Sequence, residues 1–165
     1  MKLKVLLAAW LCLLMISCGK QVAEKAPVAA ETPQPEVVVP SADSVDPLTN
    51  KGIGPIKSVD LGDISETLVK QGEEVFKTKC AACHKMDKRY IGPALVGITE
   101  RRTPEWIMNM ILNPEEMVMK DPHARQLLME YAAPMANQSL TEPEARQLLE
   151  YFRANKEPTT SEKES

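Results

Sequence analysis

The sequence predicts an all-α domain. Apolar residues recur at intervals of three and four, the spacing of one helix face. Ser, Thr or Asp stands in front of several of these stretches, twice with Glu three positions on, which is the pattern that starts a helix. Alternating runs of β-branched residues, which would mark strands, are few.

Each element has its own signals. Asp63 and Glu66 fit a capping box for a first helix, with Ile64, Leu68, Val69 and Phe76 on one face and an end near Ala82. Thr103 can cap a second, with Pro104 at the first position, where the missing N–H costs nothing. Trp106, Ile107, Met110 and Ile111 supply its apolar face up to Pro114, and a short helix over 114–119 follows. Asp121-Pro122 opens another, to about Tyr131, with Leu127, Leu128 and Tyr131 facing inward. Thr141 and Glu144 form a second capping box, opening a last helix to about Asn155 with Leu148, Leu149 and Phe152 buried.

The domain is shorter than the chain of 165 residues. Residues 1–17 read as an export signal: Lys2 and Lys4, then an apolar run too short to span a bilayer comfortably. Met15-Ile16-Ser17-Cys18 resembles a bacterial lipobox, and the resemblance implies cleavage before Cys18 and lipid attachment to it. Several acyl chains on one residue anchor firmly where a single one holds only marginally. The expected location is thus the bacterial cell envelope, on a membrane and facing the periplasm or the outer surface.

Residues 18–62 hold six prolines and no aromatic residue, so they read as a lipid-anchored linker to about residue 51, followed by a less polar stretch from Gly52 to Leu61 that can pack on the domain as an ordered extension. All six aromatic residues of the exported part lie between Phe76 and Phe152, which sets the domain at 63–156 and leaves 157–165 as an unstructured tail. Without the signal, 18 basic residues face 23 acidic ones, a formal charge of −5. Such a balance disfavours nucleic acid as a partner.

Of four cysteines, Cys12 leaves with the signal and Cys18 takes lipid, so only Cys80 and Cys83 remain for the fold. They stand in Cys80-Ala81-Ala82-Cys83-His84, the attachment pattern of c-type haem. Two thiols three positions apart at a helix end can reach the two vinyl groups of one porphyrin, and the next residue, His84, then lies under the iron. A zinc site would need further Cys or His ligands, and only His123 remains. A thioredoxin-like pair would sit in a βαβ pattern, and none flanks it.

Around this motif the sequence resembles the class I c-type cytochromes over about residues 66–155. Gly72 and Phe76 match the family's Gly and aromatic spacing on its first helix, Tyr151 and Phe152 the aromatic region of its last, and Ile91-Gly92-Pro93 its turn after the haem motif. The resemblance implies a cytochrome c fold of four to five helices around one covalent haem c. It also implies close crossing of the terminal helices at Gly72, and a Pro93 carbonyl that accepts the Nδ1–H of His84. Such a bond fixes the ring and raises its basicity.

The resemblance also points to the second axial ligand. The family's distal methionine lies in a loop before the last helix, and Met135 occupies that place, although as Pro134-Met135-Ala136 rather than Met-Pro. Met117 and Met119 are the next alternatives, and His123, at a helix start, reads as a solvated side chain. Arg101, Arg102 and Trp106 are candidates to bond the haem propionates.

His/Met ligation fills both axial sites and suits electron transfer rather than catalysis, so the expected function is electron carriage and not an enzymatic one. The competing reading is a haem enzyme or gas sensor with an open sixth position. Residues 70–102 carry eight basic and four acidic side chains, which bracket the haem motif. A basic face suits docking to acidic redox partners, such as a respiratory reductase or oxidase or a quinol-oxidising complex. The protein is expected to be a monomer.

Overall fold

The computed structural model describes residues 40–156, so the signal segment, Cys18, the first part of the linker and the tail at 157–165 lie outside the described residues. Six helices follow a short 3-10 turn at Ala42–Ser44: α1 (Glu66–Val75), α2 (Ile98–Arg101), α3 (Pro104–Leu112), α4 (Pro114–Lys120), α5 (Pro122–Tyr131) and α6 (Glu142–Ala154). No strand occurs among the described residues. The helices exceed the expected four to five because α2 is a single turn, which the sequence did not announce.

Proline and polar caps set the helix boundaries. Four helices carry a proline in their first turn. Thr103 Oγ1 accepts from Trp106 N at 3.1 Å, and Asp121 Oδ1 from Ala124 N at 2.8 Å. The capping box of Thr141 and Glu144 is complete in both directions. The first helix departs from expectation: Ser65, not Asp63, caps it through Leu68 N, and Ile64 lies exposed before the cap. An N-cap serine satisfies the same orphan N–H groups from two residues further on.

The terminal helices α1 and α6 form the most extensive interface between helices. Gly72 makes it possible, because a Cβ there would stand 2.9 Å from Tyr151 Cβ and collide with the Gln147 carbonyl. Phe76 packs beside this crossing, with ring centroids 5.5 Å from Tyr151 and 6.3 Å from Phe152, the latter edge-on. Leu148, Leu149, Ile107, Ile111 and Met117 continue the core towards α3 and α4.

The less polar extension before residue 63 is ordered and packs on the domain. Residues 50–62 run along α3, α4 and α6 and are gripped by buried side chains. Asn109, fully buried, accepts from Ile56 N at 3.0 Å and donates to the carbonyls of Ile56 and Lys51, each at 2.9 Å. Met117 Sδ accepts from Ile53 N at 2.9 Å, and Glu105 Oε1 accepts from Val59 N at 3.3 Å. Arg146 and Arg153 donate to the carbonyls of Asp60 and Gly62, and both are held by the buried carboxylate of Glu150. Ile56 belongs to the main core. The folded body therefore begins before residue 63, and linker-like composition gives way to docked chain by Asn50, whose carbonyl accepts from Thr103 Oγ1 at 2.6 Å.

His123 is also corrected: it is buried rather than solvated, and its Nδ1 lies 3.0 Å from Asn50 Nδ2. The amide can only donate, so the ring nitrogen accepts and His123 carries its proton on Nε2.

Candidate haem site

α1 ends in one wide turn over Phe76–Cys80, in which Ala81 N donates to the carbonyl of Phe76, five residues back, at 2.9 Å. Such a turn inserts a residue into the helical ladder and re-aims the chain beyond it, a feature common at functional sites. The backbone then folds over itself: Cys83 N and His84 N both donate to Cys80 O, at 3.0 and 2.9 Å. Gly92 N returns to Cys83 O at 2.9 Å, which closes the loop behind His84.

His84 is fixed by that loop. Its Nδ1 stands 3.1 Å from the Pro93 carbonyl, and a carbonyl can only accept, so Nδ1 carries the proton and Nε2 has its lone pair free for a metal. Gly92 lies close against the ring. A Cβ there would come within 2.8 Å of His84 Nδ1 and closer still to Cε1, so any other residue must displace the ring. The contact expected of Pro93 is thus present.

Cys80, Cys83 and His84 line one cleft together with Met135. The cleft and its open mouth together hold about 1230 Å³ of empty space, open solvent included. Its walls are apolar: Leu95, Ile98, Ile107, Ile111, Leu148 and Phe152 are among them. The mouth is marked by lining residues that are also exposed: Lys79, Cys83, Ile91, Pro134 and Ala136. Both cysteines are free thiols. Burial, with a smaller contribution from Cys83, pushes the Cys80 thiol up to about 11, so it is protonated at neutral pH. A wide apolar slot with two thiols and one oriented imidazole matches a covalently attached porphyrin. Among the described residues there is no group of three or more His, Cys, Asp or Glu that could hold a metal ion.

The methionines separate. Met135 and Met110 line the cleft, whereas fully buried Met117 spends its sulfur on Ile53 N, and Met119 and Met129 are exposed. The candidates for the propionates separate as well. Trp106 forms part of the wall, but its indole N–H donates to Asp121 Oδ1 at 3.0 Å. Arg101 donates to the carbonyls of Val96 and Ala94, and Arg102 lies over the Trp106 ring and donates to its neighbour's carbonyl. Neither arginine lines the cleft. Sequence reasoning missed Asp121 as the partner that holds Trp106 in this wall. It is 1% exposed and accepts from Asn50, Trp106 and Ala124. The Asp-Pro pair announced only its role as a cap.

Comparison with known proteins agrees with this geometry. The family model described as Cytochrome c matches residues 69–156, just over half of the chain. A curated relative, cytochrome c2 of Rhodopseudomonas palustris, is 44% identical over 45 residues, which are 27% of this chain and 32% of that protein. The chain thus spans about a third of the length of the curated relative it matches. Among solved structures, a cytochrome c from Rhodothermus marinus is 48% identical with a TM-score of 0.60, covering 61% of this chain and 88% of that one. An engineered cytochrome c from the same organism, bound to a carbene intermediate, is 47% identical with a TM-score of 0.59, covering 64% and 92%. The thiol pair, the imidazole held by Pro93, the apolar cleft and these matches have one common reading: the chain belongs to the cytochrome c family, whose members are electron carriers rather than enzymes, and its cofactor is covalent haem c.

Proposed function

We propose that this chain is a one-electron carrier of the bacterial cell envelope, with His84 and Met135 as the two axial ligands and Cys80 and Cys83 as the thioether positions. The observation that carries it is the shared cleft. The loop methionine Met135 lies in the same apolar space as both thiols and the oriented imidazole, while the sulfur of Met117 is engaged elsewhere. When bound, haem c supplies an iron that changes by one electron. The chain's own residues do the rest. Pro93 and Gly92 hold the His84 ring in one orientation, so little reorganises between redox states. The apolar walls exclude water, which keeps the reorganisation of solvent small. Exposed Ile91, Pro134 and Ala136 leave an edge open where a partner can approach.

The basic set around the haem motif suits a partner with an acidic face, such as a respiratory reductase or oxidase or a quinol-oxidising complex. Lipid on Cys18 would tether the carrier to the membrane that houses such partners. No helix among the described residues is long and apolar enough to cross a membrane. The competing reading, an open sixth position for gas or catalysis, draws support from the engineered relative bound to a carbene intermediate.

One variant series decides between them. Met135→Ala is expected to keep the haem attached, lose the far-red sulfur-to-iron band of the ferric protein, lower the reduction potential and gain carbon monoxide binding. Met117→Ala should cost about 2–5 kcal/mol of stability without changing ligation, as a core truncation. Met119→Ala, at an exposed site, should stay within about 0.5 kcal/mol of the parent. A ferric band that survives in Met135→Ala and vanishes in Met117→Ala would move the ligand. Rapid carbon monoxide binding by the unaltered reduced protein would favour the open site.

A further inference from the structure

The loop that carries Met135 is held by little of its own. From Ala133 to Leu140 no backbone–backbone hydrogen bond is made among the described residues. Its polar contacts are internal: Gln138 Nε2 to Ala136 O at 3.2 Å, and Ser139 N to Asn137 Oδ1 at 2.8 Å. Apart from the apolar packing of Met135 and Leu140, its place is set by its two ends. The far end is fixed by the Thr141–Glu144 capping box. The near end is the C-terminus of α5, where Ala132 turns the chain at φ 51, a conformation side chains rarely adopt. Something must hold that end while the chain makes the turn.

Arg89 does so from the loop that follows the haem motif. Its Nη1 donates to Glu130 Oε1 at 3.2 Å, its Nη2 donates to the Glu130 carbonyl at 3.0 Å, and its guanidinium lies 4.1 Å from the centre of the Tyr131 ring. A cation at a helix C-terminus is also favoured by the dipole. Arg89 stands in the loop behind His84, which is closed by Gly92 N to Cys83 O and Tyr90 N to Gly92 O. An exposed ion pair alone is worth little. This one adds a carbonyl and an aromatic face, and it joins the loop of one proposed axial ligand to the helix end that launches the other.

We infer that Arg89 is a positioning residue for the sixth ligand: it ties the His84 loop to the end of α5 and so keeps the Met135 loop closed over the cleft. The inference rests on the assignment of Met135. Loss of the tie should raise the population of the open loop, in which an external ligand can enter, about tenfold, the scale of one charge-assisted contact plus a cation–π contact.

The test uses the full-length haem-loaded protein with imidazole as probe. Arg89→Gln is compared with Lys88→Gln, which removes the same charge one residue away, with Arg89→Lys, and with Met135→Ala. Arg89→Gln is expected to bind imidazole about tenfold more tightly. It should also lose the far-red ferric band at a lower temperature than the parent, while its global unfolding by circular dichroism moves less. Lys88→Gln should match the parent. Arg89→Lys should side with Arg89→Gln, because an ammonium cannot make the fork and the stack together. The inference is overturned if Arg89→Gln matches Lys88→Gln, if lysine restores the parent behaviour, or if band loss and global unfolding shift equally. A far-red band that persists in Met135→Ala instead overturns the ligand assignment itself.

Discussion

The imidazole of His84 owes its aim to a residue without a side chain. Gly92 presses its backbone against the ring, and Pro93 then offers its carbonyl to Nδ1. Gly92→Ala should therefore displace the ring rather than merely crowd the loop. The expected outcome is a destabilisation of about 1–3 kcal/mol, as for other overpacked sites, together with an altered potential read by redox titration. An unchanged potential at reduced stability would show that the ring does not move. The haem motif and the Gly-Pro turn were legible in the sequence, because covalent chemistry and close approach each demand one residue type at one position. The propionate candidates were less legible. The sequence shows that Trp106 carries a donor, but it cannot show that Asp121, fifteen positions on, takes that donor.

The extension over residues 50–62 is the element that composition described least well. Its single proline and three glycines give no amphipathic face. What holds it belongs to other elements: the amide of Asn109, the sulfur of Met117, and the carboxylates of Glu105 and Glu150. Polar side chains on a helix are ordinary surface until a stretch of chain is known to lie on them, so the low polarity of Gly52 to Leu61 suggested docking but not the partners that hold it, whereas the helices, with caps and proline starts, were readable.

Two predictions belong at this scale. Glu150→Ala leaves Arg146 and Arg153 without their shared buried partner and should cost about 3–5 kcal/mol, measured by chemical denaturation. Glu105 makes the extension sensitive to acid. Burial, the largest single influence, pushes its carboxyl up, but hydrogen bonds from its own backbone N–H, Lys51 and Val59 outweigh it and hold the group below its ordinary value of 4.5. A group depressed in the folded state stabilises above its unfolded value and loses that contribution as pH falls below it. Stability should thus decline below about pH 4.5, and Glu105→Gln should show a shallower decline over the same range.

Across the whole molecule, charge is unevenly placed. Basic residues dominate from Lys70 to Arg102, and acidic ones from Thr103 onward. Part of the basic excess is already engaged within the fold: Lys77 with Glu73 and Glu74, Arg89 with Glu130. Lys79 stays at the mouth of the cleft. Lys79→Glu should slow electron transfer to an acidic partner at low salt and converge with the parent as salt is raised, because exposed charges act mainly on encounter rate. Cys18→Ser should move the haem-loaded protein from the membrane to the soluble envelope fraction; retention on membranes in high salt would exclude Cys18 as the anchor.

The crossing of α1 over α6 at Gly72 has a consequence in time as well as in space. The two helices come from opposite ends of the domain; the wide turn that ends α1 lines the cleft through Lys79 and Cys80, and α6 through Leu148 and Phe152. Contacts that distant in sequence form only after a large loop has closed, which slows folding relative to neighbouring helix pairs. A ribosome still holding the C-terminal part of the chain, or an export channel still passing it, therefore holds a polypeptide whose Cys-Ala-Ala-Cys-His segment has no finished wall above it. Leu148 and Phe152 are the last part of that wall to arrive, so Cys80 is open to a porphyrin before they do, whereas Cys83 stays exposed at the mouth of the finished cleft.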